Sequence, residues 1–100
     1  MKRVIVRYKI KADKAQDNIA YIQEVFKALD KSKPEGLRYT SFQMEDGLSF
    51  VHIASIETDD GSNPLSALSE FKAFTEDISS RCEEAPVASE ANMIGNYRIF

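Results

Sequence analysis

The chain has 100 residues, with 13 Lys and Arg against 16 Asp and Glu, one histidine, one cysteine and no tryptophan. That length makes a single domain with a core of its own, needing no disulfide or metal staple. A net charge of −3 gives no electrostatic footprint for nucleic acid or an anionic membrane, and the lone Cys82 closes no internal disulfide.

Residues 3–10 alternate, with Val4, Val6, Tyr8 and Ile10 on one face and Arg3, Ile5, Arg7 and Lys9 on the other. Their β-branched content predicts a first strand. This stretch has no apolar leader pattern with a small-residue cleavage site, and no run reaches membrane-spanning length. The expected location is the cytoplasm. Asp13 and Gln16 form a capping-box pattern that predicts a helix start. Ala15, Ile19, Ile22, Phe26 and Leu29 then recur at helical spacing, and Pro34-Glu35-Gly36 ends the helix.

Leu37 to Met44 and Leu48 to Glu57 read as the second and third strands, joined by Asp46-Gly47, a strong hairpin signal. Thr58 to Pro64 is a polar loop in which Asn63-Pro64 suits an N-cap and first helical position. Leu65, Leu68, Phe71, Phe74 and Ile78 carry a second helix to about Cys82. Pro86 breaks the chain, and Val87 followed by Met93 to Phe100 predicts the last strand. The order is β-α-β-β-α-β. That is the split βαβ arrangement of ferredoxin-like α+β folds: one domain over residues 1–100, a four-stranded antiparallel sheet and two helices on one face.

If Asp46-Gly47 is a two-residue turn, Glu45 pairs with Leu48, Gln43 with Phe50, Ser41 with His52, Tyr39 with Ala54 and Leu37 with Ile56. Paired residues share a face. The opposite face then holds Phe42 with Val51 and Thr40 with Ile53. Two helices cover only one face, so this second apolar face predicts a partner, and the simplest is a second copy about a two-fold axis.

The same register gathers Tyr39, Ser41, Gln43 and His52 on one face among Leu37, Phe50, Ala54 and Ile56. A few polar groups in an apolar wall are the makings of a small-molecule pocket. His52 is the candidate catalytic base, because its ordinary pKa lies near neutrality. The structural alternative is a core histidine satisfied by Ser41 or Tyr39. Tyr8 and Tyr97, on the first and last strands, are further candidates for the pocket, with packing as their alternative role. Arg7, Arg38 and Arg98 either bind an anion or pair with acids such as Glu45 and Glu57. Cys82, at the end of the second helix beside Arg81, lacks the setting of a nucleophile. Metal-ligand spacing and phosphate-binding glycine loops are absent, so neither metal nor cofactor is expected.

RNA-recognition domains share this element order and carry a basic-Gly-aromatic motif on the third strand. Here the run is Asp46-Gly47-Leu48-Ser49-Phe50-Val51-His52-Ile53. Its glycine, Phe50 and Val51 match, but an acid replaces the basic residue and Leu48 and Ile53 replace stacking aromatics, which argues against RNA.

Taken together, residues 4–15, Pro34-Glu-Gly-Leu-Arg-Tyr39, Phe50-Val-His52, Asn63-Pro-Leu65 and Phe71-Lys-Ala-Phe74 resemble the dimeric α/β-barrel superfamily, in the branch of antibiotic biosynthesis monooxygenases. The resemblance implies a ferredoxin-like subunit whose sheet packs on a partner's sheet in a homodimeric α/β barrel. It also implies activities that range from cofactor-free oxidation of aromatic phenols or quinols to haem degradation or none. The tryptophan of the haem-degrading branch has no counterpart here. The expected function is therefore a cofactor-independent monooxygenase acting on a hydroxyaromatic or quinol. In that reading His52 accepts the phenolic proton, and Tyr39, Ser41, Gln43, Tyr8 and Tyr97 bind the small aromatic substrate. The alternative is a ligand-binding or interaction dimer without enzymatic activity.

Overall fold

The computed structural model describes residues 1–100. Its elements are β1 (Lys2–Ile10), α1 (Ala15–Ser32), β2 (Leu37–Gln43), β3 (Ser49–Ile56), α2 (Ser69–Glu76), α3 (Ile78–Arg81) and β4 (Cys82–Glu90). The strands form one antiparallel sheet in the order β2-β3-β1-β4. The core lies between one face of the sheet and the helices, where Tyr8, Ile10 and Phe50 meet Val25, Leu65 and Phe74. This is the expected ferredoxin-like α+β arrangement.

The expected hairpin register is observed: Gln43 stands opposite Phe50, Ser41 opposite His52, Tyr39 opposite Ala54 and Leu37 opposite Ile56. The turn itself is longer than two residues. The strands stop at Gln43 and Ser49, because the Asp46 carboxylate takes over the backbone there. It accepts from the N–H groups of Leu48 and Ser49 at 2.9 and 2.8 Å and from the Ser49 hydroxyl at 2.7 Å. The added residues leave the pairing sum unchanged, so every side chain keeps its face.

The start of α1 also differs from expectation. Asp13 sits in a 3₁₀ turn, Ala12–Lys14, and caps nothing, because α1 begins at Ala15 with no side-chain cap. Backbone bonds from Lys11 N–H to Arg81 O and from Lys14 N–H to Lys11 O set the entry instead. At the other end Lys33 adopts a left-handed conformation and its N–H closes on Leu29 O at 2.8 Å.

Asn63 does cap, its Oδ1 accepting from Leu65 N–H at 3.0 Å, with Pro64 as the next residue. The single second helix becomes three pieces: a 3₁₀ turn over Pro64–Ala67, then α2 and α3. Leu65 and Leu68 stand three apart, the repeat of a 3₁₀ turn, and Leu68 is extended and ends it, while Phe71 and Phe74 lie in α2.

The last strand falls earlier than expected. Cys82 opens β4 rather than closing a helix, and Pro86 lies inside the strand. The proline is tolerated because β4 is an edge strand and its register with β1 shifts between the Arg7–Val87 and Lys9–Glu84 pairs. Residues 91–100 form no strand. They cross the face of the sheet opposite the helices, tied by Ala91 N–H to Arg3 O at 2.9 Å and by the Phe100 ring 4.7 Å from the Arg3 guanidinium. That outer face still leaves Ile5, Phe42 and Val87 between 37% and 51% exposed.

Candidate functional site

Three adjacent strands deliver the polar groups of the site to the face beneath the helices. His52 is central on β3, Tyr8 comes from β1, and Tyr39 and Ser41 come from β2. Strand alternation turns all four side chains the same way. His52 is 3% exposed and both of its ring nitrogens are engaged. The Tyr8 hydroxyl lies 2.7 Å from Nε2, and the Ser41 and Tyr39 hydroxyls lie 2.5 and 3.2 Å from Nδ1.

The rings stack in a ladder running Phe50, Tyr8, His52, Tyr39, Phe26, with centroids 5.3 to 5.9 Å apart and planes within 12 to 16°. Phe71 meets Tyr39 edge-on, and Phe74 lies tilted against His52. Such offset and edge contacts fix ring orientation as well as burying area.

Beside this ladder is a cavity of about 190 Å³. Tyr8, Tyr39, His52 and Ala54 form its sheet side, Leu65, Phe71 and Phe74 its helix side, and Asn63 and Pro86 complete the wall. No Lys, Arg, Asp or Glu lines it. Burial without a charged partner pushes the His52 imidazole down to about 4, so it is neutral at physiological pH. Burial likewise raises Tyr39 to about 12, with the Ser41 hydrogen bond acting the other way. Tyr8 rises further, through burial, although the Asn18 amide works the other way. The arrangement therefore offers an apolar aromatic slot with a neutral, hydrogen-bonded acid–base group in its wall.

The structure brings together His52, Tyr39, Ser41 and Tyr8. Gln43 and Tyr97 are not brought to this cavity. Gln43 is exposed and its Nε2 donates to Gly47 O at 3.0 Å, binding the hairpin turn rather than facing the cavity. Tyr97 lies outside the sheet strands, in the segment crossing the opposite face, and is 74% exposed. Of the arginines, Arg38 pairs with Glu57 at 3.3 Å and Arg98 lies over Tyr97; none of Arg7, Arg38 or Arg98 lines the cavity. Cys82 is buried, which pushes its thiol up. No group of three or more His, Cys, Asp or Glu is placed to hold a metal ion, and no helix is long and apolar enough to cross a membrane.

Asn18 is a site residue that the sequence reading does not single out. It is fully buried on α1, and its Nδ2 donates to the Tyr8 hydroxyl at 3.0 Å. A signal is present in the sequence: Ala15, Ile19, Ile22, Val25 and Leu29 line the buried side of α1, and position 18 is a polar residue set within that stripe. Asn63, expected only as a cap, also proves to line the cavity.

No family model and no curated protein sequence matches the chain. Solved structures do. An antibiotic biosynthesis monooxygenase superposes with a TM-score of 0.73 at 17% identity, covering 95% of this chain and all of that one. Rv0793 from Mycobacterium tuberculosis superposes with 0.76 at 11% identity over 95% and 96% of the two chains. SnoaB, a cofactor-independent oxygenase from Streptomyces nogalater, superposes with 0.70 at 12% identity over 97% and 96%. The resemblance read from the sequence thus holds at the level of the fold: this chain has the ferredoxin-like fold of the antibiotic biosynthesis monooxygenase structures.

Proposed function

We propose that the protein is a cofactor-independent oxygenase of a small, uncharged hydroxyaromatic or quinol, acting as a homodimer. The observation that carries this reading is the aromatic slot with the Tyr8–His52–Ser41/Tyr39 network in its wall. The likeness in fold to SnoaB, a cofactor-independent oxygenase, adds to it as analogy only.

The size and lining of the cavity support a small, uncharged substrate. A dry cavity of about 150 Å³ holds benzene, so about 190 Å³ suits one or two rings rather than a larger polycycle. Walls without charge favour a neutral molecule, since an isolated ion would be costly to desolvate. The chemistry begins with the substrate hydroxyl. Its proton passes to the Tyr8 oxygen as the Tyr8 proton passes to His52 Nε2, 2.7 Å away. The resulting phenolate is electron-rich enough to reduce O₂. A phenol and O₂ give a quinone and water, with all the electrons taken up by O₂ supplied by the substrate. Because the imidazole is a weak base at about 4, the reading requires an acidic hydroxyl, such as one conjugated to a ring carbonyl. The second copy covers the apolar outer face at Ile5, Phe42 and Val87.

The test is oxygen uptake by the purified protein against one- and two-ring quinols and hydroxylated carbonyl-bearing aromatics, with His52→Ala in parallel. Turnover lost in the variant is the expected result. Full turnover in His52→Ala removes the mechanism. Ligand-induced stabilisation with no consumption of any ligand replaces the oxygenase by a binding protein.

A further inference from the structure

We infer that Asn18 is a positioning residue that fixes the direction of the hydrogen-bond chain through Tyr8 and so holds His52 in its Nδ1–H tautomer. Asn18 Nδ2–H donates to the Tyr8 oxygen at 3.0 Å. The Tyr8 oxygen is then an acceptor toward α1, and the hydroxyl has one proton to place. The polar atom in reach is His52 Nε2 at 2.7 Å, so Tyr8 donates to it. A nitrogen that accepts carries no proton, and a neutral imidazole therefore bears its proton on Nδ1. There Ser41 Oγ at 2.5 Å and Tyr39 Oη at 3.2 Å receive it. The chain runs in one sense, from Asn18 through Tyr8 and His52 to Ser41 and Tyr39.

The cost of this arrangement is visible. Asn18 is fully buried and its Oδ1 has no hydrogen-bond partner. A polar side chain with an unsatisfied oxygen in a helix stripe otherwise made of Ala, Ile, Val and Leu is poor packing by itself. Its one bonded group is the one that orients Tyr8. The functional consequence rests on the oxygenase reading. With Nε2 free of a proton, His52 receives the substrate proton through Tyr8. With the opposite tautomer it has nothing to receive with on that side, and a histidine held in the wrong tautomer is not a base.

His52 is the one histidine of the chain, so its two ring nitrogens give a single set of ¹⁵N signals, read without substrate. At pH 8 the wild type is expected to show the Nδ1–H tautomer. Asn18→Asp, nearly the same shape, replaces the donor by an acceptor. Tyr8 then donates to the carboxylate, accepts from His52 Nε2–H, and the tautomer switches, with Ser41 and Tyr39 donating to Nδ1. An Nε2–H signal in the wild type overturns the inference by itself, even if the variant does not fold. An unswitched tautomer in folded Asn18→Asp, where the ¹³C shift of the introduced carboxyl shows it ionised at pH 8, also overturns it, since a protonated carboxyl would still donate to Tyr8. On a substrate turned over by the wild type, the variant is expected to lose about tenfold or more in kcat, with KM nearly unchanged. A switched tautomer without wild-type turnover on any substrate counts against the oxygenase alone. Turnover with an unswitched tautomer counts against the role of Asn18 alone.

Discussion

Tyr8 and His52 touch diagonally: the Tyr8 hydroxyl lies 2.7 Å from His52 Nε2, while Val6 stands directly opposite His52 and Tyr8 opposite Phe50. The diagonal reach leaves room for Asn18 behind Tyr8 and for Ser41 and Tyr39 behind His52. Tyr8→Phe leaves both Asn18 Nδ2 and His52 Nε2 buried without a partner, at a cost of about 1–3 kcal/mol. Tyr39→Phe should cost less, because Ser41 still serves Nδ1. Urea unfolding of the two variants compares them directly, and equal losses would refute the ordering.

Stability should depend on pH through His52. Its folded-state value of about 4 lies below the ordinary 6.5, so on acidification the unfolded chain takes up the proton first. The stability tied to the neutral ring is complete above pH 6.5 and is lost as pH falls from there toward 4, by on the order of 3 kcal/mol. Asp46, held at about 2 by its hydrogen bonds to Ser49 and Leu48, acts in a lower window. Denaturation midpoints of the wild type and His52→Gln between pH 7 and 4 isolate the effect, and parallel slopes would mean that the ring is not held neutral.

Filling the slot separates ligand binding from folding. Ala54 is on its sheet side, and Ala54→Leu adds bulk where there is space. Turnover, or stabilisation by a bound aromatic, should disappear while stability falls by no more than about 1–3 kcal/mol. Thermal scans with and without ligand read both quantities. A variant that still responds to ligand would place the ligand elsewhere.

Gly36 is set by its backbone. It has φ +77, and a Cβ there would lie 2.8 Å from Thr58 Cγ2 and 3.0 Å from Thr58 Cα. Gly36→Ala is expected to destabilise by about 1–3 kcal/mol, lowering Tm by roughly 4–8 °C per kcal/mol for a domain of this size. An unchanged Tm would show that the turn relaxes freely.

The outer face should hold two copies together. Phe42 is 51% exposed there, near Ile53 and the returning Phe100. Phe42→Asp places a charge in the proposed interface, and sedimentation should move from dimer to monomer with the fold retained by circular dichroism. A monomeric wild type would remove the dimer.

By itself the sequence determined the element order, the hairpin register and the two apolar faces of the sheet. These follow from local periodicity, and a period of two fixes which residues share a face. That is why Tyr39, Ser41 and His52 are legible as a cluster from the order of residues alone. The same periodicity misleads at the chain's end. There β4 is an edge strand with a proline and a register shift, so it carries little apolar alternation, whereas Met93, Ile94, Tyr97 and Ile99 do but pair with nothing. Only the tertiary structure decided how α1 meets the sheet. Asn18 and Tyr8 are ten residues apart on different elements, and no local pattern encodes their contact, the cavity beside them or the direction in which their protons point.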